Sequence, residues 1–456
     1  MPHHSLHIVI LAAGKGTRMN SSVSKVCHPI GGRALLDYVL DTAQRLQPAK
    51  ITCVVSPDMP QVEQLIKNRN VPNINIAYQR SQEGTGHAVL AARDFIKGST
   101  DDLMVLYGDT PLLTADTLQE LVTQRQSEDN PAVVVLGMIP SDPNNQYGRL
   151  VLDDDDCVEE IVEYKVASEE QRFIRLCNSG VMLIDGDHAL DMLDKIDNKN
   201  AQQEYLLTDV VAIARAADRK VHYVEGDEDE LLGINSRVDQ ALAEDTLQHR
   251  WRVAALEQGV TMTDPASVFL SFDTKVGKDV TIQPNVFIGP GVTIEDGVTI
   301  RSNCYIQEAY LHSECVVGPF AHIRPGSNIG SKAKIGNFVE IKKSDIHEGA
   351  KVNHLSYIGD AEVGERANIG AGTITCNYDG FEKHRTKIGS QAFIGSNSCL
   401  VAPVDIGDKS IVGAGSVITR KVLPDALAYS RPPQQEIISG ATRYRRKRTK
   451  LKVVNK

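Results

Sequence analysis

The chain reads as two units in tandem: an α/β domain on a Rossmann-like, mainly parallel sheet, followed by a parallel β-helix. Three observations predict this. Strand-like apolar runs alternate with helical stretches through the first 235 residues, apolar side chains then recur every six positions from Val276 to Ile418, and one capped helical stretch, 236–259, lies between. A chain of 456 residues is also too long for a single ordinary core.

Leu6 to Leu11 is a buried-type strand that runs straight into Ala12-Ala13-Gly14-Lys15-Gly16-Thr17-Arg18-Met19. Two glycines let the backbone turn tightly with its N–H groups aimed at an anion, and Lys15, Arg18 and Lys25 add positive charge, so the turn reads as a phosphate cradle. It lacks both the spacing of a Walker loop and the third glycine of a dinucleotide fingerprint. An ordinary strand-to-helix turn would account for the glycines but not for the three cations.

Further strands are expected at Ile51 to Val55, Ile74 to Tyr78, Leu103 to Tyr107 and Ala132 to Leu136, with helices at Leu35 to Leu46 and Leu118 to Arg125. Such alternation puts ligands beyond the strand ends. There Gln79 leads to Gly84-Thr85-Gly86, flexible enough for close approach to a base, and Tyr107-Gly108-Asp109 ends its strand in a carboxylate. Thr114 is better placed than Asp109 to cap the next helix. Asp109 therefore reads as a Mg²⁺ ligand, since magnesium takes one or two protein oxygens and fills its sphere with substrate phosphate. Tyr147-Gly148-Arg149, Ile161-Val162-Glu163, Asn178-Ser179-Gly180 and Gly233-Ile234-Asn235 follow, and each alone is a turn by default.

Ser236 with Asp239 makes a capping box and Gly259 a stop, so 236–259 reads as a rigid connector holding the only tryptophan, Trp251. The expected domains are 1–235, 236–259, 260–437 and a tail, 438–456. Val276, Ile282, Ile288, Ile294, Ile300 and Ile306 open the hexads, which restart at Val317, slip by one residue near Ile346 and Val363, and resume at Ile388 after an insertion. Small residues such as Cys304, Ala321, Ser327 and Ala392 stand two before an anchor. Residues two apart share a strand face, so each hexad sends one large and one small side chain inward and then turns. Three hexads make one coil of a flat-walled prism, with coils stacked at roughly 4.8 Å.

Asn353-His354-Leu355-Ser356-Tyr357 stands where loops of neighbouring coils meet. A histidine in a repeat protein is most often a polar surface residue, but Arg324 and Lys342 in nearby coils could hold a sugar phosphate beside this one, which would make it a base. Between Ile369 and Ile388 the period is broken by Cys376-Asn377-Tyr378-Asp379-Gly380 and a charged loop, a candidate binding loop without an evident partner in its own coil.

Leu11 to Met19 with Lys25 resembles the nucleotide-binding motif of sugar-phosphate nucleotidyltransferases, and the hexads resemble those of hexapeptide-repeat acyltransferases. Nearly end to end, the motifs resemble the bacterial family that joins N-acetylglucosamine-1-phosphate uridylyltransferase to glucosamine-1-phosphate N-acetyltransferase. The resemblance implies a left-handed β-helix after an α/β nucleotidyltransferase domain. It implies acetylation of glucosamine 1-phosphate by acetyl-CoA, then transfer of UMP from UTP to N-acetylglucosamine 1-phosphate with release of pyrophosphate, supplying peptidoglycan and lipopolysaccharide. It also implies a cytoplasmic homotrimer whose acetyl sites are built from neighbouring subunits. On the uridylyl site it places Leu11, Ala12, Ala13, Gly14, Lys25, Gln79, Gly84, Thr85, Tyr107, Gly108, Asp109, Gly148, Glu163, Asn178 and Asn235, with Arg18 and Lys25 catalytic and Asp109 and Asn235 holding Mg²⁺. It places Arg324, Lys342, Tyr357 and Asn368 on the amino sugar, His354 as the base, and Ala371, Asn377, Tyr378, Ser396, Ala414 and Arg431 on acetyl-CoA. Direct transfer needs no acyl-enzyme, so Cys376 is not required. Ser24 departs from the family's usual proline before the lysine, and Ser236 from a common second asparagine.

Composition excludes other classes. At 41% hydrophobic and 24% charged the chain is globular rather than disordered or fibrous. The apolar run Ile8 to Ala13 lacks the basic flank of a signal, and no run approaches a membrane span. Eight cysteines without a Cys-x-x-Cys suit a reducing cytosol and argue against structural zinc. The net charge of −10 hides a tail, Arg443 to Lys456, with eight Lys and Arg and no acid, which leaves −18 on the rest. A disordered, solvated end is expected of it rather than a nucleic-acid arm. Two rival readings differ in what they need. A nucleotide-sugar pyrophosphorylase with a regulatory β-helix has no use for His354, Arg324 and Lys342 together, and a scaffold subunit on the same folds has none for Arg18, Lys25 and Asp109.

Overall fold

The computed structural model describes residues 5–454, with side chains through Thr449, and divides into two compact units between Val253 and Ala254. In the first, β1 (Leu6–Leu11), β2 (Lys50–Val55), β3 (Ile74–Tyr78), β4 (Asp102–Tyr107), β5 (Val133–Met138), β6 (Arg149–Leu152), β7 (Val158–Val162), β8 (Cys177–Ile184) and β9 (Val221–Glu225) form one sheet. The order is β9-β5-β8-β4-β1-β2-β3, with β6 on β8 and β7 on β6. β1 to β4 are parallel and β5 and β9 share their direction, so the sheet is mainly parallel as expected, with β8 running antiparallel to both β4 and β5 as a reversed strand within it. The cause is the β6–β7 hairpin, which turns the chain back before β8.

Val9, Val54, Val105 and Val135 feed one core, while Ile8, Ile10, Met104, Leu106 and Val134 feed the other, as alternate residues of a doubly covered sheet must. The chain winds outward through β1-β2-β3 and returns with β4 on the far side of β1. That switch opens a crevice at the carboxyl ends of β1 and β4, where the turn of residues 14–16 and Asp109 sit.

The helix Arg237–Glu257 has the expected reciprocal cap: Asp239 N donates to Ser236 Oγ at 3.2 Å, and Ser236 N to Asp239 Oδ2 at 2.8 Å. Gly259, at φ +97°, follows its end. Trp251 packs on Gly31, where a Cβ would fall 2.1 Å from the indole.

The second unit is a left-handed parallel β-helix. Among the described residues its walls have ten, nine and eight strands, all pairing in parallel. Thr281 pairs with Thr299 and Thr299 with Val316, so one coil takes 18 or 17 residues, which accounts for the slips in the hexad train. Ile282, Ile300, Ile335 and Ile369 are buried together with the small Ala321, Ser327, Ala333 and Ser398.

Two expectations are corrected here. The inserted loop does find partners in its own prism: Asn377 Nδ2 donates to Asp360 Oδ2 at 2.5 Å, and Arg385 Nη2 to Asp345 at 3.2 Å and Glu362 at 3.3 Å. Its charges fold back on an acidic wall. The tail is not a disordered end either, because Gly440–Val454 is a helix. Arg and Lys are good helix formers, and no acid or proline interrupts them. Asn455 and Lys456 lie outside the described residues.

Candidate functional sites

The crevice of the first unit is a cavity of about 430 Å³ lined by Leu11, Ala12, Ala13, Gly14, Lys25, Gln79, Gly84, Thr85, Tyr107 and Asp109, together with Gln82 and Glu204. Ala12 N donates to Val54 O at 2.8 Å and Gly108 N to Leu11 O at 2.9 Å, so both loops are laced to neighbouring strands. Gly16, at φ +61°, lies so close to Lys25 that a Cβ would be 2.5 Å from that residue's own. Glycine there lets Lys25 lie against the cradle.

The Lys25 ammonium contacts Asp109 Oδ2 and donates to Asn235 Oδ1 at 3.1 Å. A carboxylate oxygen and an amide oxygen thus converge on one cation, a hard donor set of the kind magnesium accepts. Asn235 is held in turn, its N–H donating to Asp239 Oδ2 at 2.9 Å and its Nδ2 to Gly233 O at 3.2 Å. Among the described residues no group of three His, Cys, Asp or Glu side chains is placed to hold a metal.

Gln79 Nε2 donates to Gly84 O at 3.3 Å, and Thr85 Oγ1 accepts from Leu207 N at 3.0 Å. Tyr107 packs on Gly180, and burial, with Asp109 and Glu163 nearby, raises its phenol above the usual range. Asn178 N donates to Gly148 O at 2.8 Å. Burial also pushes the Glu163 carboxyl up, and Glu204 acts in the same direction. Arg18 is exposed on the short turn Thr17–Met19 and is not part of the cavity wall.

In the second unit His354 ends the strand Lys351–His354, in register with Asn337 one coil earlier, and its Nδ1 is 2.6 Å from Asn337 Oδ1. An amide oxygen only accepts, so in the neutral ring this contact selects the tautomer with the proton on Nδ1 and the lone pair on Nε2. Gly372 N and Ser356 Oγ donate to the His354 carbonyl at 3.2 and 2.8 Å and fix the corner.

Lys342 ends the strand Glu340–Lys342 and Arg324 directly follows the strand His322–Ile323 of the coil before, with Arg324 N donating to Ile341 O at 2.8 Å and Arg324 Nη1 to Glu340 Oε1 at 2.7 Å. Lys383 of the inserted loop lies beside Lys342, whose ammonium holds its amine below the usual lysine range. Asn377 Nδ2 lies 3.4 Å from the Tyr357 hydroxyl, while Tyr378 donates to Gly380 O at 2.6 Å and stays exposed. Asn368 is half-buried and pairs with Lys351 and Phe393 in the neighbouring coils.

Ala371, Ser396, Ala414 and Arg431 stack on successive coils. Asn397 N donates to Ala371 O at 2.7 Å, Gly415 N to Ser396 O at 2.8 Å, and the Arg431 guanidinium to Ala414 O. Through Gly372 this column continues from the coil of His354, so one prism edge offers a run of backbone groups long enough for an extended ligand.

A MobA-like NTP transferase domain matches residues 8–180, a bacterial transferase hexapeptide (six repeats) matches 273–307, and a hexapeptide repeat of succinyl-transferase matches 385–420. Over 445 residues the chain is 49% identical to the bifunctional protein GlmU of Paramagnetospirillum magneticum, covering 98% of each. The chain belongs to the bifunctional GlmU family. It is also 46% identical to the GlmU protein of Zymomonas mobilis, over 98% of this chain and 99% of that one, and 50% identical to that of a Bradyrhizobium species over 96% of each. This GlmU-family chain is a bifunctional enzyme of UDP-N-acetylglucosamine synthesis that joins uridylyltransferase and acetyltransferase activities. No helix among the described residues is long and apolar enough to cross a membrane.

Several residues of this GlmU-family site escaped the sequence reading. Gln82 donates to Ala13 O at 2.6 Å and ties the Gly84 loop to the turn after β1, and its nearness to Gly84 was the signal for it. Glu204 arrives from far along the chain and had none. Asn337 stands seventeen residues, one coil, before His354, so the register itself pointed to it.

Proposed function

We propose that uridylyl transfer takes place in the cavity at the β1 and β4 ends and acetyl transfer at the His354 corner. The observation that carries this reading is the His354–Asn337 pair, which orients a free imidazole nitrogen in the unit that lacks the phosphate cradle. Assaying the purified chain for each half-reaction tests it, and the absence of either activity would contradict it.

In the acetyl step the amine of glucosamine 1-phosphate attacks the thioester carbon of acetyl-CoA. His354 Nε2 takes the amine proton, the C–S bond breaks and CoA leaves as thiolate. Arg324, Lys342 and Lys383 hold the phosphate, Tyr357 and Asn368 the sugar, and Ala371, Asn377, Tyr378, Ser396, Ala414 and Arg431 the acetyl-CoA. Burial, and next to it Cys399, keeps the Cys376 thiol above its usual range and hence protonated, which supports direct transfer.

In the uridylyl step a phosphate oxygen of N-acetylglucosamine 1-phosphate attacks the α-phosphorus of UTP in line, and pyrophosphate leaves. Leu11 to Gly14 and Lys25 cradle the triphosphate, Gln79, Gly84 and Thr85 hold the base, Tyr107 and Gly108 line the floor, and Gly148, Glu163 and Asn178 hold the sugar. Lys25, with Arg18 from the exposed turn beside it, neutralises developing charge. Asp109 and Asn235 fit Mg²⁺, which when bound would stabilise phosphate charge; in this structure the Lys25 ammonium stands between them.

The domain boundaries 1–235, 236–259, 260–437 and 438–456 belong to the same proposal, as do a cytoplasmic location and a homotrimer in which neighbours complete the acetyl sites. Light scattering should give three times the chain mass, and a fully active monomer would refute the trimer. A fragment starting at Ala254 keeps every β-helix strand and should fold and acetylate at the full chain's rate. A soluble fragment without acetyl activity would sink the separation of the units.

A further inference from the structure

None of the residues assigned above to either reaction lies beyond Arg431. Ile437 and Ile438 are 72% and 88% exposed, side by side, directly before the helix Gly440–Val454. Arg443, Arg445, Arg446, Lys447 and Arg448 are all exposed, and none pairs with a carboxylate among the described residues. Two local bonds order the start of the helix: Arg443 Nη2 donates to Ile438 O at 2.9 Å, and Arg448 lies 5.6 Å over the Tyr444 ring. Solubility does not require such a run, because outside the eight basic residues of 443–456 the chain already carries −18, in a total of −10.

We propose that Ile437 to Arg448 docks the enzyme reversibly on an anionic phospholipid bilayer. The basic helix supplies charge attraction, and the two isoleucines and Tyr444 enter the headgroup boundary. A phosphate backbone of nucleic acid would also attract the arginines, but it gives two exposed adjacent isoleucines nothing to bury against. A bilayer surface does, and a peripheral protein holds to it when charge and apolar insertion act together. Each Lys or Arg near an anionic surface is worth roughly fivefold in partitioning, and each inserted isoleucine about tenfold.

The test is co-sedimentation of the full chain with vesicles of phosphatidylcholine alone and of equal parts phosphatidylcholine and phosphatidylglycerol. The chain should bind only the second kind and leave it at about 1 M salt, where the screening length falls to about 3 Å. The combined change Arg443→Gln, Arg445→Gln, Arg446→Gln, Lys447→Gln and Arg448→Gln should weaken binding by about three decades, and Ile437→Ser with Ile438→Ser by about two. Rates of both half-reactions in solution should be unchanged in either variant, which shows that the fold stands. No binding to the anionic vesicles, or binding that survives the five-charge variant, would overturn the proposal. So would tighter binding to a random-sequence DNA duplex that the isoleucine changes leave intact, since that would assign the segment to nucleic acid.

Discussion

His354→Ala lowers acetyl turnover by about two to four decades, the usual worth of a positioned general base. The attacking amine must lose a proton as it adds to the thioester, and His354 Nε2 is the neutral lone pair that the Asn337 bond to Nδ1 leaves available. The KM for glucosamine 1-phosphate should change little, because Arg324, Lys342 and Lys383 remain. His354 is exposed at a corner whose bonds run through its carbonyl, so its side chain can be shortened without loss of fold. Asn337→Ala should cost about one decade in kcat, because an untethered imidazole is neither oriented nor held in one tautomer. Cys376→Ala should be mild. Acetyl turnover that survives His354→Ala but collapses in Cys376→Ala would make the cysteine the nucleophile.

Asp109→Asn lowers uridylyl turnover by about two to three decades, the scale of losing one preorganised electrostatic partner. The substitution keeps the shape of the strand end but removes the charge that faces Lys25 and Asn235. Metal activation should therefore need higher Mg²⁺, and saturating metal should recover part of the rate, which a merely misfolded cavity would not do. Gly108, packed on Leu36 and Ala12, keeps the loop in place, so acetyl transfer in the other unit should be normal.

The strand bounds Leu6 to Leu11 and Ile74 to Tyr78 were legible because apolar runs ended at glycine or polar residues, and Thr114 does cap its helix, accepting from Thr117 N at 3.3 Å. The cradle, Lys25 and Asp109 were legible because charge recurs where strands stop. The direction of β8 was not: an apolar run names a strand, and only the hairpin before it sets which way it runs. In the β-helix most buried anchors could be read from the six-residue period, although Leu311, in register with Ile294, fell in the break before Val317. Outward neighbours depend on the 17- or 18-residue coil, so Asn337 beside His354 and Lys383 beside Lys342 required the register and the folded insertion. Arg18 carried the right charge in the right motif, yet its short turn leaves it outside the cavity wall. The tail helix went unseen because its uniform basic run offers no periodic face.

The central claim is that one chain carries two chemically independent sites, and assaying both half-reactions on the Asp109→Asn and His354→Ala proteins tests it most directly. Reciprocal losses are predicted, with uridylyl transfer failing only in the first and acetyl transfer only in the second. Loss of both activities together in either folded protein would contradict it.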